Sequence, residues 1–71
     1  MEKLIEIEGM SCSNCAENVK NSLFGLPETE NVKVNLEEKN ATVTFSDDVD
    51  NAIIISIIKS AGYSVKNIKN I

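Results

Sequence analysis

The spacing of apolar residues changes from two to three-or-four and back again twice within 71 residues, which excludes both an all-helical bundle and a plain sheet. Over residues 3–8, "KLIEIE", Ile5 and Ile7 alternate with Glu6 and Glu8, the pattern of a half-buried strand. Gly9 breaks it. From Ser13 onward Ala16, Val19, Leu23 and Leu26 fall on one helix face, with Glu17, Asn18, Lys20 and Asn21 on the wet side. Ser11 or Ser13 is placed to cap that helix, and Gly25 with Pro27 to end it. "VKVNL" and "ATVTF" then alternate again, with Val32, Val34, Leu36, Ala41, Val43 and Phe45 inward, and "EEKN" between them reads as a hairpin turn.

The segment "SDDVDNAIIISIIKSAG" sets composition against position. Isoleucine favours strands, yet a Ser/Asp cluster opens the segment, Lys59 and Gly62 close it, and Ile54, Ile57, Ile58 and Ala61 form a helical stripe. This predicts a second helix, with Ile55 left exposed because one face cannot bury every isoleucine between Ile53 and Ile58. "YSVKNI" supplies a last short strand through Tyr63 and Val65. The order βαββαβ is that of two split βαβ units: an α+β, ferredoxin-like sandwich, a four-stranded antiparallel sheet with two helices on one face, in a single domain over residues 1–71. In that topology the loop after the first strand, the "EEKN" turn and the Gly62–Tyr63 turn share one end.

That end carries "GMSCSNC", Gly9 to Cys15, with both cysteines of the chain. A closed zinc site needs four Cys or His ligands, and with two cysteines and no histidine the count fails. A disulfide between Cys12 and Cys15 would close so short a loop that it gains little as a staple. A redox dithiol is the stronger rival, because CxxC at a helix N-terminus is a thioredoxin-like signal; against it stand the missing tryptophan and a lone proline, Pro27, far from the thiols. A soft-metal site fits best, since two thiolates on an exposed loop suit a low-coordinate d¹⁰ ion such as Cu(I) and leave it open to another thiol. The helix N-terminus is expected to lower the pKa of one or both thiols.

Charge excludes a further class. Eleven acidic residues, seven scattered lysines and no arginine give a net charge of −4, so no basic face exists for nucleic acid. No apolar run reaches the ~20 residues of a membrane span. The first residues, "MEKLIEIEG", carry no secretion signal, so free thiols in a reducing cytoplasm are expected. With no histidine and no paired carboxylates, nothing points to an enzyme.

"GMSCSNC", "NVKVNLEEKNATVTF" and "IIKSAGYSV" together resemble the heavy-metal-associated (HMA) domain family along the whole chain. That family includes free copper chaperones and N-terminal domains of copper-transporting P-type ATPases. The resemblance implies Cys12 and Cys15 as metal ligands, Met10 packed beneath the loop, and Tyr63 as the aromatic beside the thiols. Gly9 supplies the turn out of the strand. Ser11 stands where relatives resembling zinc or cadmium exporters carry an acid, which favours copper. The implied partner is a copper-transporting P-type ATPase or its metal-binding domain, or a chaperone if this chain is itself the ATPase domain. A copper-bridged homodimer is also expected. The chain opens with methionine and stops just past the last strand, which suits a free chaperone. It departs from the family in lacking a glycine before the second strand, where a differently shaped turn is expected.

Overall fold

The computed structural model describes residues 1–71. Strand β1 (Glu2–Glu8), helix α1 (Ser13–Phe24), strands β2 (Thr29–Asn35) and β3 (Asn40–Phe45), helix α2 (Asn51–Ser60) and strand β4 (Ser64–Asn70) follow in the expected order. They form one sheet, β2-β3-β1-β4, in which every neighbouring pair is antiparallel. The alternation in each strand sets its inner face. Ile5 and Ile7, Val32, and Ala41, Val43 and Phe45 meet Val19 and Leu23 of α1 and Ile54 and Ile58 of α2 in one buried core. Each large aliphatic side chain buried there contributes about 1.5–3 kcal/mol, none of which depends on a metal.

The same alternation carries Lys3 inward, and it is only 7% exposed. Its ammonium donates to the Val49 carbonyl at 2.6 Å and to Asn51 Oδ1 at 2.9 Å, with Asp48 at 3.8 Å. A buried charge needs such partners. This clasp ties the start of β1 to the β3–α2 connection, at the end of β1 remote from the cysteines.

Several boundaries differ from the sequence expectation. β2 begins at Thr29 rather than Val32, and its pairing with β3 slips between Thr29 and Asn31. Gly25 caps α1 as expected, and with no glycine directly before β2 the connection is held by Thr29: its hydroxyl donates to the Leu23 carbonyl at 2.8 Å and its N–H to the Leu26 carbonyl. Leu36 lies in the hairpin turn, while Asn40 joins β3. That turn is shaped by Asn35, whose side-chain oxygen accepts the Glu38 N–H at 3.1 Å, and by Lys39 at φ 57. The Lys39 carbonyl accepts the Ile7 N–H at 2.9 Å, which fastens the hairpin tip to the end of β1.

α2 is a helix despite its isoleucines because its ends are made. Asp50 caps it by accepting the Ala52 N–H at 3.1 Å. At the other end Gly62 takes φ 97, its N–H reaches the Lys59 carbonyl, and the Tyr63 N–H reaches the Ile58 carbonyl at 3.1 Å. This is the Schellman arrangement, and the left-handed residue it needs is glycine. Ile55 is 44% exposed as expected, and Ile53 is exposed to 47% as well. Tyr63 immediately precedes β4 rather than belonging to it.

Candidate metal centre

β1 delivers the chain to Gly9, which turns it at φ 91. A Cβ there would stand 3.5 Å from Tyr63 Cδ1, an ordinary contact, so the dihedral and not crowding selects glycine. Met10 then drops into the core, 2% exposed, and anchors the loop. Ser11 and Cys12 are left exposed, and α1 starts at Ser13.

The residue before the first helical one is Cys12, so Cys12, and not Ser11 or Ser13, is the cap. Its backbone is extended (φ −148, ψ 166) and its Sγ accepts the Cys15 N–H at 3.3 Å. Sulfur is a weak acceptor, and its use here spends the capping position on a thiol. Cys15 follows in the first turn, half-buried, with the two sulfurs 2.7 Å apart and both thiols free. The expected convergence of three loops holds: Leu36 and Lys39 of the hairpin turn border one hollow with Gly9, Met10 and Ser11, and the turn after α2 sets Tyr63 against Gly9.

Cys15 is lowered to about 7 from the free-thiol value of 9.0. The Cys12 side chain is the largest cause, followed by the Tyr63 phenol and the backbone at Ser11, while burial opposes them. Lowering was expected, but from the helix N-terminus; the adjacent side chains dominate instead. Tyr63 moves the other way, raised above its ordinary value because its phenol serves the Cys15 sulfur, with the Asn18 side chain acting in the opposite sense. Asn18 had been placed on the wet face of α1. Its position one turn beyond Cys15 was the available signal that it borders the site.

No group of three or more His, Cys, Asp or Glu side chains gathers anywhere in the molecule. The donor set at the tip is therefore two sulfurs, which fits a soft ion at low coordination and does not fit a closed tetrahedral zinc site. A thiolate–metal bond of about 2.3 Å, as for zinc, would set two sulfurs on opposite sides of an ion roughly 4.6 Å apart. Holding a metal between them therefore requires the two sulfurs to move apart. The exposed Cys12 is the freer of the two sulfurs to move, whereas Cys15 is held by the helix.

Comparison with known proteins places this geometry. The heavy-metal-associated domain pattern matches residues 4–64. The copper chaperone CopZ of Staphylococcus epidermidis is 35% identical over 66 residues, covering 92% of this chain and 97% of that protein. Copper-transporting ATPase 1 of Rhizobium meliloti is 38% identical over 63 residues, but the chain spans only 8% of its length. A solved structure described as CopZ metallochaperone superposes with a TM-score of 0.85 at 30% identity, covering 92% of this chain and 98% of that one. The fold, the CxxC-bearing loop and these similarities together make this chain a member of the heavy-metal-associated domain family.

Proposed function

We propose that this domain is a Cu(I) metallochaperone: Cys12 and Cys15 hold the ion, and a partner's thiols take it by ligand exchange. The observation that carries the reading is the pairing of two free thiols, and no third metal-ligating side chain, at an exposed tip. Similarity to a copper chaperone over nearly its whole length supports copper as the cargo. A copper-transporting P-type ATPase, or its metal-binding domain, is the partner this reading names. In this reading residues 1–71 form one metal-binding domain that works in the cytoplasm. No helix of the structure is long and apolar enough to cross a membrane.

Transfer follows from ligand count. An ion bound by two sulfurs leaves a side open, and a partner thiolate adds there to give a three-coordinate intermediate. Cys12, the exposed ligand, leaves first, and Cys15 leaves when the partner's second thiolate arrives. Each sulfur that departs is replaced by one that arrives, so no redox change occurs and no free ion forms. The same open side lets a second copy share the metal, giving a copper-bridged homodimer at high concentration. Gly9 and Met10 shape and anchor the loop, Ser11 adds no hard oxygen ligand, and Tyr63 donates toward Cys15 when it is ionised.

Similarity to a segment of a copper-transporting ATPase favours a second reading, in which the domain belongs to the transporter and receives copper from a chaperone. Mixing copper-loaded protein with an apo metal-binding domain of a copper ATPase, with a chelator present to trap free ion, tests handover. Delivery faster than chelator-limited release is expected. Delivery at the release rate would make the domain a copper buffer.

A further inference from the structure

Copper reaches a site as Cu(I) or as Cu(II), and the two ions ask for different ligands. Cu(II) favours nitrogen and oxygen donors in a tetragonal arrangement, whereas thiolates select Cu(I). The chain has no histidine, and nowhere do three His, Cys, Asp or Glu side chains gather. Its copper ligands are two free thiols whose sulfurs lie 2.7 Å apart, Cys12 exposed and Cys15 half-buried. Thiols are also reductants, and a pair in contact can give up two electrons together by closing on itself. The reduced arrangement leans that way: a small movement inward makes the sulfur–sulfur bond, while holding an ion requires the sulfurs to separate.

We propose that the Cys12–Cys15 pair reduces Cu(II), once per chain, and that the chain is converted to its disulfide in doing so. Two Cu(II) ions take one electron each, a sulfur–sulfur bond forms between Cys12 and Cys15, and the protons still carried by the thiols pass to water. Nothing else is oxidised or reduced. The products are two Cu(I) ions and a chain that has lost both of its metal-holding thiolates. Because each thiol already touches the other, closure within the chain outruns cross-linking between chains.

Chains still reduced take up the Cu(I) so formed, and only this last step rests on the proposed Cu(I) site. Of three chains given two Cu(II) ions, one is spent and two are loaded. The domain thereby acquires a place in a sequence of reactions. Either a one-electron reduction of Cu(II) precedes it, so that every chain is loaded, or a dithiol reductant follows it and reopens the disulfide by thiol–disulfide exchange.

The test adds a Cu(II) salt to reduced, metal-free protein under anaerobic conditions with no other thiol present. Three quantities are followed: loss of the Cu(II) paramagnetic resonance signal, Cu(I) captured by a chromophoric chelator, and cysteines left open to alkylation. With Cu(II) in excess, two ions are expected to be reduced per chain, and both cysteines to become closed to alkylation within a monomer. With two ions for every three chains and no chelator, a third of the chains are expected as disulfide and the rest as the Cu(I) form. Cys12→Ala and Cys15→Ala each leave one thiol, so at most one Cu(II) per chain is expected to be reduced, about tenfold more slowly, with a cross-linked dimer as product. A Cu(II) signal that persists beside reduced wild type, wild-type disulfides formed between chains, or single variants that match the wild type in rate and extent overturns the proposal. A parallel sample given Cu(I) directly separates the two readings: failure to hold Cu(I) there overturns the copper site, while the count of Cu(II) reduced per chain decides the reduction.

Discussion

Replacing Cys12 by Ala tests which group ionises the tip. With Cys15 lowered to about 7 from 9.0, about half of it is thiolate at pH 7, whereas a thiol at 9.0 would be only about 1% ionised. The ionised population is therefore roughly fifty times that of an unperturbed thiol. The largest cause is the Cys12 side chain, with Tyr63 second. Alanine at position 12 leaves nothing to donate to the Cys15 sulfur, whereas serine would replace the thiol by a hydroxyl donor. The assay is the pH dependence of Cys15 alkylation in metal-free, reduced protein, with each thiol's adduct quantified by mass spectrometry. A midpoint near 7 is expected in the wild type, rising in Cys12→Ala and rising by a smaller step in Tyr63→Phe. The sign extends to stability. A folded-state pKa below the unfolded one contributes stability that is fully present above the unfolded value, near 9, and is lost as pH falls through about 7. A wild-type midpoint above 8.5, or a larger shift from Tyr63→Phe than from Cys12→Ala, would refute this account of the tip.

Two further outcomes concern the frame that holds the tip. Lys3→Met keeps the apolar stem but strips hydrogen bonds from the Val49 carbonyl and Asn51 Oδ1; a loss of about 1–3 kcal/mol is expected in urea unfolding with m unchanged. Asp48 is 76% exposed and adds little to that figure. Since the clasp lies at the far end of β1, the alkylation profile of the cysteines should not move in this variant. Stripping metal with a chelator should leave the far-ultraviolet spectrum of a folded α+β protein, because the core is assembled from the faces of sheet and helices; a random-coil spectrum would place this domain with zinc fingers, which unfold without metal.

The fold was legible because the alternating and helical apolar patterns each bury one face, and those faces alone determine the layers. Ile5, Ile7, Val19, Leu23, Ala41, Val43, Phe45, Ile54 and Ile58 were all recoverable that way, and all are buried. Lys3 follows the same alternation but was passed over, since a lysine on an inward position is read as a surface charge until its acceptors are known. Those acceptors, Val49 and Asn51, are nearly fifty residues away in sequence, and no local pattern joins them. Ligand types and spacing single out the cysteine loop as the candidate site, and the structure brings its two thiols together. Its cap was not legible: Ser11 and Ser13 are better capping residues than cysteine, and only the start of the helix at Ser13 gives the role to Cys12. Tyr63 was reachable by topology, because a helix ending in a Schellman turn at Gly62 returns the chain to the thiol end. Its effect on Cys15 depends on side-chain approach, which periodicity does not encode. The early start of β2 was hidden for a related reason, as Thr29 and Glu30 have no apolar alternation to mark them.

The most direct test of the central claim is an anaerobic Cu(I) titration of the reduced protein against a strong chromophoric chelator, run beside the double variant Cys12→Ala, Cys15→Ala. The account expects the wild type to take one Cu(I) per chain in competition with the chelator and the double variant to take none. Tight binding that survives in the variant, or a wild type that cannot compete, would contradict a copper site made by these two thiols.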